Sequence, residues 1–166
     1  TWIHNVLNMD AIACLDDIEC KKGLQALTSE TGMKVLMTRY GVPETKVKAL
    51  STIFGISGVC NVLGAIKTAK HYQFGKDDVI VTICTDAIDR YHSVMGDMAR
   101  TYGAMDDARG MAYVEAIFHG AKTDWIKDGT PDMRRQWHSL KYYTWVEQQG
   151  KTVEELNAQM SQDWWV

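Results

Sequence analysis

The sequence contains no C-x-x-C pair, no H-x-x-x-H spacing, no polybasic run and no apolar run near the roughly 20 residues of a membrane span. Each absence removes a class of function. Without paired cysteines, zinc and thioredoxin-type redox readings fail. The four cysteines, Cys14, Cys20, Cys60 and Cys84, do not make a disulfide framework. They are expected as buried reduced thiols of a cytoplasmic protein, Cys14 and Cys84 because they lie in apolar runs. His4, His71, His92, His119 and His138 are scattered, so no metal is expected. Charges nearly cancel, 18 Lys+Arg against 21 Asp+Glu leaving −3. That argues against a nucleic-acid partner, which needs a basic face. The N-terminus lacks the basic-then-apolar layout of a signal peptide, and no membrane partner is expected. What is present is a chain of 166 residues, 46% apolar, enough for one ordinary domain with a real core. It opens on Thr1 rather than Met, so a processed, trimmed or partial chain is expected.

Helical patterns dominate. Asp16 and Asp17 are placed to cap a helix running to about Leu27, and Ser29 to cap the next, ending at Gly41. Pro43 suits the first turn of a third helix through about Leu50. A longer one is expected from near Gly58 to Phe74, with Gly75 as its terminating residue. Further patterns run from Asp89 to Tyr102 and from Asp106 to His119. Thr130 and Pro131 open another, with Met133, Trp137, Leu140 and Thr144 on one face and Gly150 at its end. Thr152 and Glu155 form a capping box for a last short helix. Only Asp10–Leu15 and Val79–Cys84 read as strands. The second, VIVTIC, is β-branched almost throughout, as in a strand buried on both faces. Such a strand needs neighbours, and two short strands do not supply them. Most of the sheet is therefore expected to belong to residues outside this chain.

The stretch from Phe54 to Ser93 carries the chemistry. It reads as a Gly-Ile-Ser-Gly turn, a helix, a turn, a buried strand, and polar Thr85-Asp86 at the strand's end. Gly55 and Gly58 permit close backbone approach to something. Ser57 is a natural N-cap. Free amides there favour an anion or a polar ring substituent. Thr85 and Asp86 stand where open α/β sheets place ligands. The alternative is an ordinary capped loop-helix-strand unit.

This segment resembles the C-terminal part of fold-type II pyridoxal-phosphate enzymes, the cysteine synthase and threonine dehydratase superfamily. Gly55-Ile56-Ser57-Gly58 is similar to their G-I-S-S-G turn, and Ala65 to Lys70 to their Ala-Lys-rich helix end. Val79 to Ile83 is similar to the V-V-x-I-F-P-S strand, and Asp89-Arg90-Tyr91 to the G-E-R-Y stretch. Trp2 to Val6 and Leu140 to Gly150 resemble W-I-H-N-V and L-K-Y-[YF]-T-W-V-E-Q-Q-G of a less characterised branch of the same superfamily.

The resemblance implies an α/β fold in which residues 1–94 are part of the cofactor-binding domain, with an incomplete sheet. Residues 95–166 then form a helical, aromatic-rich C-terminal extension. It implies pyridoxal 5'-phosphate as cofactor, bordered by Gly55, Ile56, Ser57 and Gly58. The ring nitrogen is then held by Thr85 or Asp86, and the residues leave that choice open. A carboxylate there stabilises a pyridinium and strengthens the ring as an electron sink, whereas a hydroxyl keeps the usual chemistry of the family. The implied reaction is β-elimination or β-replacement on a small amino acid, in a homo-oligomer. The family's Schiff-base lysine motif and phosphate-binding glycine loop are absent from this sequence, so no catalytic residue is assigned in it. An N-terminal portion of the same enzyme, separate or cleaved, is expected to supply both. Lys67 and Lys70 read as solvated helix charges. A rival reading is a non-catalytic regulatory or structural subunit that keeps the family's shape.

Two features stand outside the resemblance. Trp125, Trp137, Trp145, Trp164 and Trp165 load the tail with large aromatics, for packing or for an interface. His92, close behind Arg90-Tyr91, could contact substrate or a subunit, and Asn61 could face the cofactor or pack.

Overall fold

Five α-helices begin one position after a polar residue whose side chain caps them: Asp16, Ser29, Asp106, Thr130 and Thr152. A computed structural model describes residues 4–166. They form a mostly helical structure, 66% helix, with one two-stranded antiparallel sheet. The contacts divide the chain into two compact units, Cys14–Trp125 and Thr1–Ala13 with Ile126–Val166. Residue 94 lies within the helix α5 (His92–Tyr102).

In the larger unit, Asp16 caps α1 (Asp17–Thr28) by accepting from the amides of Ile18 and Glu19. The Ser29 hydroxyl accepts from the Gly32 amide and opens α2 (Glu30–Tyr40), which Gly41 ends with φ 64°. Each such cap satisfies backbone groups that the helix itself leaves unpaired, for about 1 kcal/mol. Pro43 precedes α3 (Glu44–Ile53). The helix α4 (Ile56–His71) starts two residues earlier and stops three residues sooner than expected. Gln73, not Gly75, takes the left-handed conformation after it, with φ 56°. After α5, α6 (Asp107–Tyr113) is capped by Asp106 and widens into a π-helical turn over Val114–His119.

The core of this unit gathers Leu24, Val47, Val59, Leu63, Val114 and Ile117. The helix α1 lies at its centre, against α2, α3 and α4. Each such side chain contributes about 1.5–3 kcal/mol by burial. Gly23 lets α1 and α4 approach closely: a Cβ there would stand 3.0 Å from Val59 Cγ1.

The smaller unit holds the sheet, β1 (Ala11–Ala13) against β2 (Ile126–Asp128), in the register Ala11↔Asp128, Ile12↔Lys127, Ala13↔Ile126. The expected strand at Asp10–Leu15 is thus shorter, and its partner was not foreseen. Thr130 caps α7 (Pro131–Tyr142), and Thr152 with Glu155 completes the capping box of α8 (Val153–Ala158). Gly150 has φ 65°. The face α7 buries is Trp137, His138 and Lys141. Leu140, expected on the apolar face, is 56% exposed. Lys141 has no exposed surface; its Nζ donates to the His4 carbonyl at 2.5 Å and to Gln159 Oε1 at 3.0 Å, with the Trp165 ring 5.3 Å away. These acceptors and the ring face replace water around the charge, and burial still pulls the Lys141 pKa down.

Two expectations need correction. Val79–Cys84 forms no strand; Val79 is 85% and Val81 87% exposed. A β-branched run has no internal partners for its backbone, and among the described residues no strand lies beside it. Cys14 and Cys84 are exposed rather than buried, while Cys20 is buried and Cys60 half-buried. Apolar sequence neighbours did not imply apolar surroundings. No aromatic cluster forms among the described residues. Trp137 is buried, Trp125 and Trp164 are exposed, and Trp164 and Trp165 meet edge to face.

Candidate functional site

The turn before α4 and the residues after the VIVTIC segment meet. The Gly55 amide donates to the Asp86 carbonyl at 2.7 Å. The Asp86 carboxylate accepts from the Tyr91 phenol at 2.5 Å on Oδ2 and from the Thr85 hydroxyl at 3.2 Å on Oδ1. One turn into α4, the Asn61 side-chain amide donates to the Ile83 carbonyl at 2.8 Å. Ile88 and Tyr91 pack on the core and anchor the far side of this link. The segment is thus tied down at Ile83 and Asp86, while Val79 to Val81 project into solvent.

All six residues singled out from the sequence are therefore neighbours, but their parts differ. Gly55 and Gly58 are both buried, and what approaches them is the chain itself. A Cβ on Gly55 would collide with the Asp86 carboxylate and the Tyr91 ring. A Cβ on Gly58 would stand 3.0 Å from the Phe54 ring and 3.9 Å from the Cys84 Cα. Ser57 is not the N-cap. Gly55 holds that position, without a side-chain bond, and Ser57 is exposed in the first turn after Ile56. Thr85 is also exposed, and Asp86 half-buried. The open surface of the cluster is therefore polar, made by the Ser57 and Thr85 hydroxyls.

Its electrostatics centre on Asp86. The hydrogen bond that Tyr91 donates to Asp86 pushes the phenol pKa up, with partial burial and the carboxylate charge adding to it. Tyr91 was matched by motif only. Its role as the brace of Asp86 needs a contact five residues back along the chain, which no periodicity announces. Asn61 packs against the segment rather than standing free. His92 opens α5 and is exposed.

The reading of Lys67 as a solvated charge is overturned. Its side chain is only 9% exposed; Nζ donates to the Cys14 carbonyl at 2.9 Å and lies 3.6 Å from Asp124. Lys70 is exposed, and its Nζ bonds the His119 and Ala121 carbonyls, closing the end of the π-helical turn. Beside it the Tyr40 phenol donates to Glu115 at 2.7 Å, which raises the phenol pKa and lowers that of the carboxyl. Among the described residues, no three His, Cys, Asp or Glu side chains gather to hold a metal ion.

Compared with known proteins, the chain matches no family model, no curated protein and no solved structure.

Proposed function

We propose that this chain is the C-terminal portion of a fold-type II pyridoxal-phosphate enzyme. Its reaction is β-elimination or β-replacement on a small amino acid. The carrying observation is the meeting of the Gly55–Gly58 turn with Thr85-Asp86, held by the Gly55–Asp86 and Tyr91–Asp86 bonds. The exposed apolar segment before it supports the same reading, because Val79, Val81 and Ile83 leave a β-branched run in solvent that a neighbouring strand from another portion of the enzyme would cover.

The cluster fits the ring end of the cofactor and not its phosphate end. Ser57, Thr85 and Asp86 offer hydroxyls and a carboxylate; the phosphate loop and the bonding lysine belong to the N-terminal portion. The cofactor, when bound, withdraws electrons from the substrate's α-carbon. The chain's own part is to set the protonation of the ring nitrogen. The Thr85 hydroxyl donates its hydrogen bond to Asp86, so its oxygen is left as an acceptor, and the Asp86 carboxylate is an acceptor outright. Facing the nitrogen, the Asp86 carboxylate would hold a proton there as a pyridinium, whereas the neutral Thr85 oxygen would keep the family's usual chemistry. Tyr91 positions Asp86, and the two glycines let the turn close on it.

The rival, a non-catalytic partner subunit, draws on the burial of Gly55 and Gly58 against the chain's own side chains. Spectra separate the two. The complete polypeptide, loaded with pyridoxal phosphate, is expected to show the visible absorbance of a lysine-bound cofactor. After borohydride reduction, peptide mapping is expected to find the label on a lysine outside these 166 residues. No such band, or a label on Lys67 or Lys70, overturns the proposal.

A further inference from the structure

A concavity lies in the larger unit, at the end of α4 away from the Gly55–Asp86 cluster. It encloses about 350 Å³, within the size range of small-molecule sites, and shares no lining residue with the Gly55–Asp86 cluster. Ile56 and Lys67 are 11 residues apart, about 16 Å of helix.

The charges around this cavity are mixed and incompletely paired. Lys67 is nine-tenths buried, with one close acceptor, the Cys14 carbonyl, and a carboxylate, Asp124, too far for a direct hydrogen bond. An ammonium carries three donors. Glu19 and Lys122 also line the cavity, and among the described residues neither has an ion-pair partner. A loose Lys67–Asp124 ion pair at 3.6 Å, with Glu19 and Lys122 left outside any ion pair among the described residues, suits a ligand carrying both signs. Leu63 forms an apolar wall, and Trp125 stands at the cavity with its indole 74% exposed. Trp125 has φ 59°, a conformation rare for any residue but glycine. Its carbonyl accepts from the Cys14 amide at 3.0 Å, while the Cys14 carbonyl accepts from Lys67. One backbone position thus fixes both the strained tryptophan and the buried ammonium. Strain of this kind is held only where surrounding contacts over-determine it, and it collects at ligand clamps. Exposed charges alone are ordinarily just solvated. A buried, under-bonded lysine beside a strained exposed indole is not.

We infer that this cavity binds a free α-amino acid with an apolar side chain. Its carboxylate lies on Lys67 and Lys122, its ammonium on Glu19 and Asp124, and its side chain against Leu63 and Trp125. The site is independent of the cofactor cluster and of the reaction proposed for it.

Calorimetric titration of the complete protein with L-leucine tests this, beside leucinamide, which lacks the carboxylate, and 4-methylpentanoate, which lacks the ammonium. Leucine is expected to bind saturably, and each analogue at least about tenfold more weakly, because leucinamide leaves the buried Lys67 ammonium without a carboxylate and 4-methylpentanoate leaves Glu19 and Asp124 without an ammonium. The exposed-residue variants Glu19→Gln and Lys122→Ser keep the fold and are expected to weaken leucine by about tenfold. Trp125→Gly, which suits φ 59°, also folds and loses the indole contact. Absence of saturable leucine binding overturns the inference, as does binding of either analogue as tightly as leucine. Leucine binding that survives Glu19→Gln and Lys122→Ser but is lost in Asp86→Asn places the ligand at the cofactor cluster and overturns it too.

Discussion

Tyr91 Oη lies 2.5 Å from Oδ2 of Asp86, so the side chain proposed to face the cofactor is braced from behind by a phenol anchored on the core. Tyr91→Phe removes one hydrogen bond to a charged acceptor in a half-buried place, for an expected loss of about 1 kcal/mol. The phenol pKa is raised in the folded state, so the stabilisation is fully present below the ordinary tyrosine value of about 10 and is lost as pH rises through the folded value. Urea midpoints measured from neutral to strongly alkaline pH are expected to show that loss in the wild type and a flatter curve in Tyr91→Phe. Equal curves would remove the brace.

Gly55→Ala is expected to destabilise by about 1–3 kcal/mol, since the new methyl meets the Asp86 carboxylate and the Tyr91 ring and both must move. The backbone at Gly55 has φ −98°, which any residue adopts, so the cost is steric and not conformational. Gly41→Ala makes the opposite comparison: nothing lies within 4 Å of its Cβ, but φ is 64°. Thermal melting of both variants separates the two causes, because Tyr91→Phe combined with Gly55→Ala is expected to recover part of the loss and to do nothing for Gly41→Ala.

Amide hydrogen exchange across Val79–Cys84 reports whether this segment finds neighbours. In the chain alone these amides are expected to exchange fast, since the backbone forms no ladder and the side chains are exposed. In the longer enzyme proposed above they are expected to be protected, and the exposed valines to cease driving aggregation. Fast exchange in the complete protein as well would detach the segment from any sheet.

Acid is expected to weaken the smaller unit. Burial and the nearby Lys141 charge lower the pKa of His138 and of His4 in the folded state. Below the ordinary histidine value of about 6.5 the unfolded chain then binds more protons than the folded one, so stability falls as pH falls through that range and is fully present above it. His138→Gln is expected to shallow the decline in melting temperature between pH 7 and about pH 5. An unchanged slope would assign the acid response elsewhere.

Thiol reactivity orders the cysteines by burial. Desolvation, with the Cys60 thiol beside it, pushes the Cys20 thiol up to about 12. At mildly alkaline pH, alkylation followed by mass spectrometry is expected to modify exposed Cys14 and Cys84 while Cys20 stays intact until the protein unfolds. Early labelling of Cys20 would contradict its place in the core.

The local signals were legible in the sequence alone. Asp16, Ser29, Thr130 and Thr152 mark helix starts because their side chains satisfy amides within three residues, and Gly41 and Gly150 mark ends because a left-handed residue costs glycine least. The six residues of the candidate cluster were legible too, since glycines and a polar pair in that order leave a local mark. Only tertiary structure decided what surrounds them. Whether Val79–Cys84 becomes a strand depends on hydrogen-bond partners that no residue within the segment can provide. Whether Gly55 faces a ligand or Asp86 depends on a carboxylate 31 positions away, 86 − 55. Lys67 looks like a solvated charge on a helical face, yet it is buried, and so is Lys141, because carbonyls from Cys14 and His4, distant in sequence, arrive to replace their water. Propensity and capping are short-range and written in neighbouring residues, whereas desolvation and pairing are settled by whichever parts of the chain come to lie alongside.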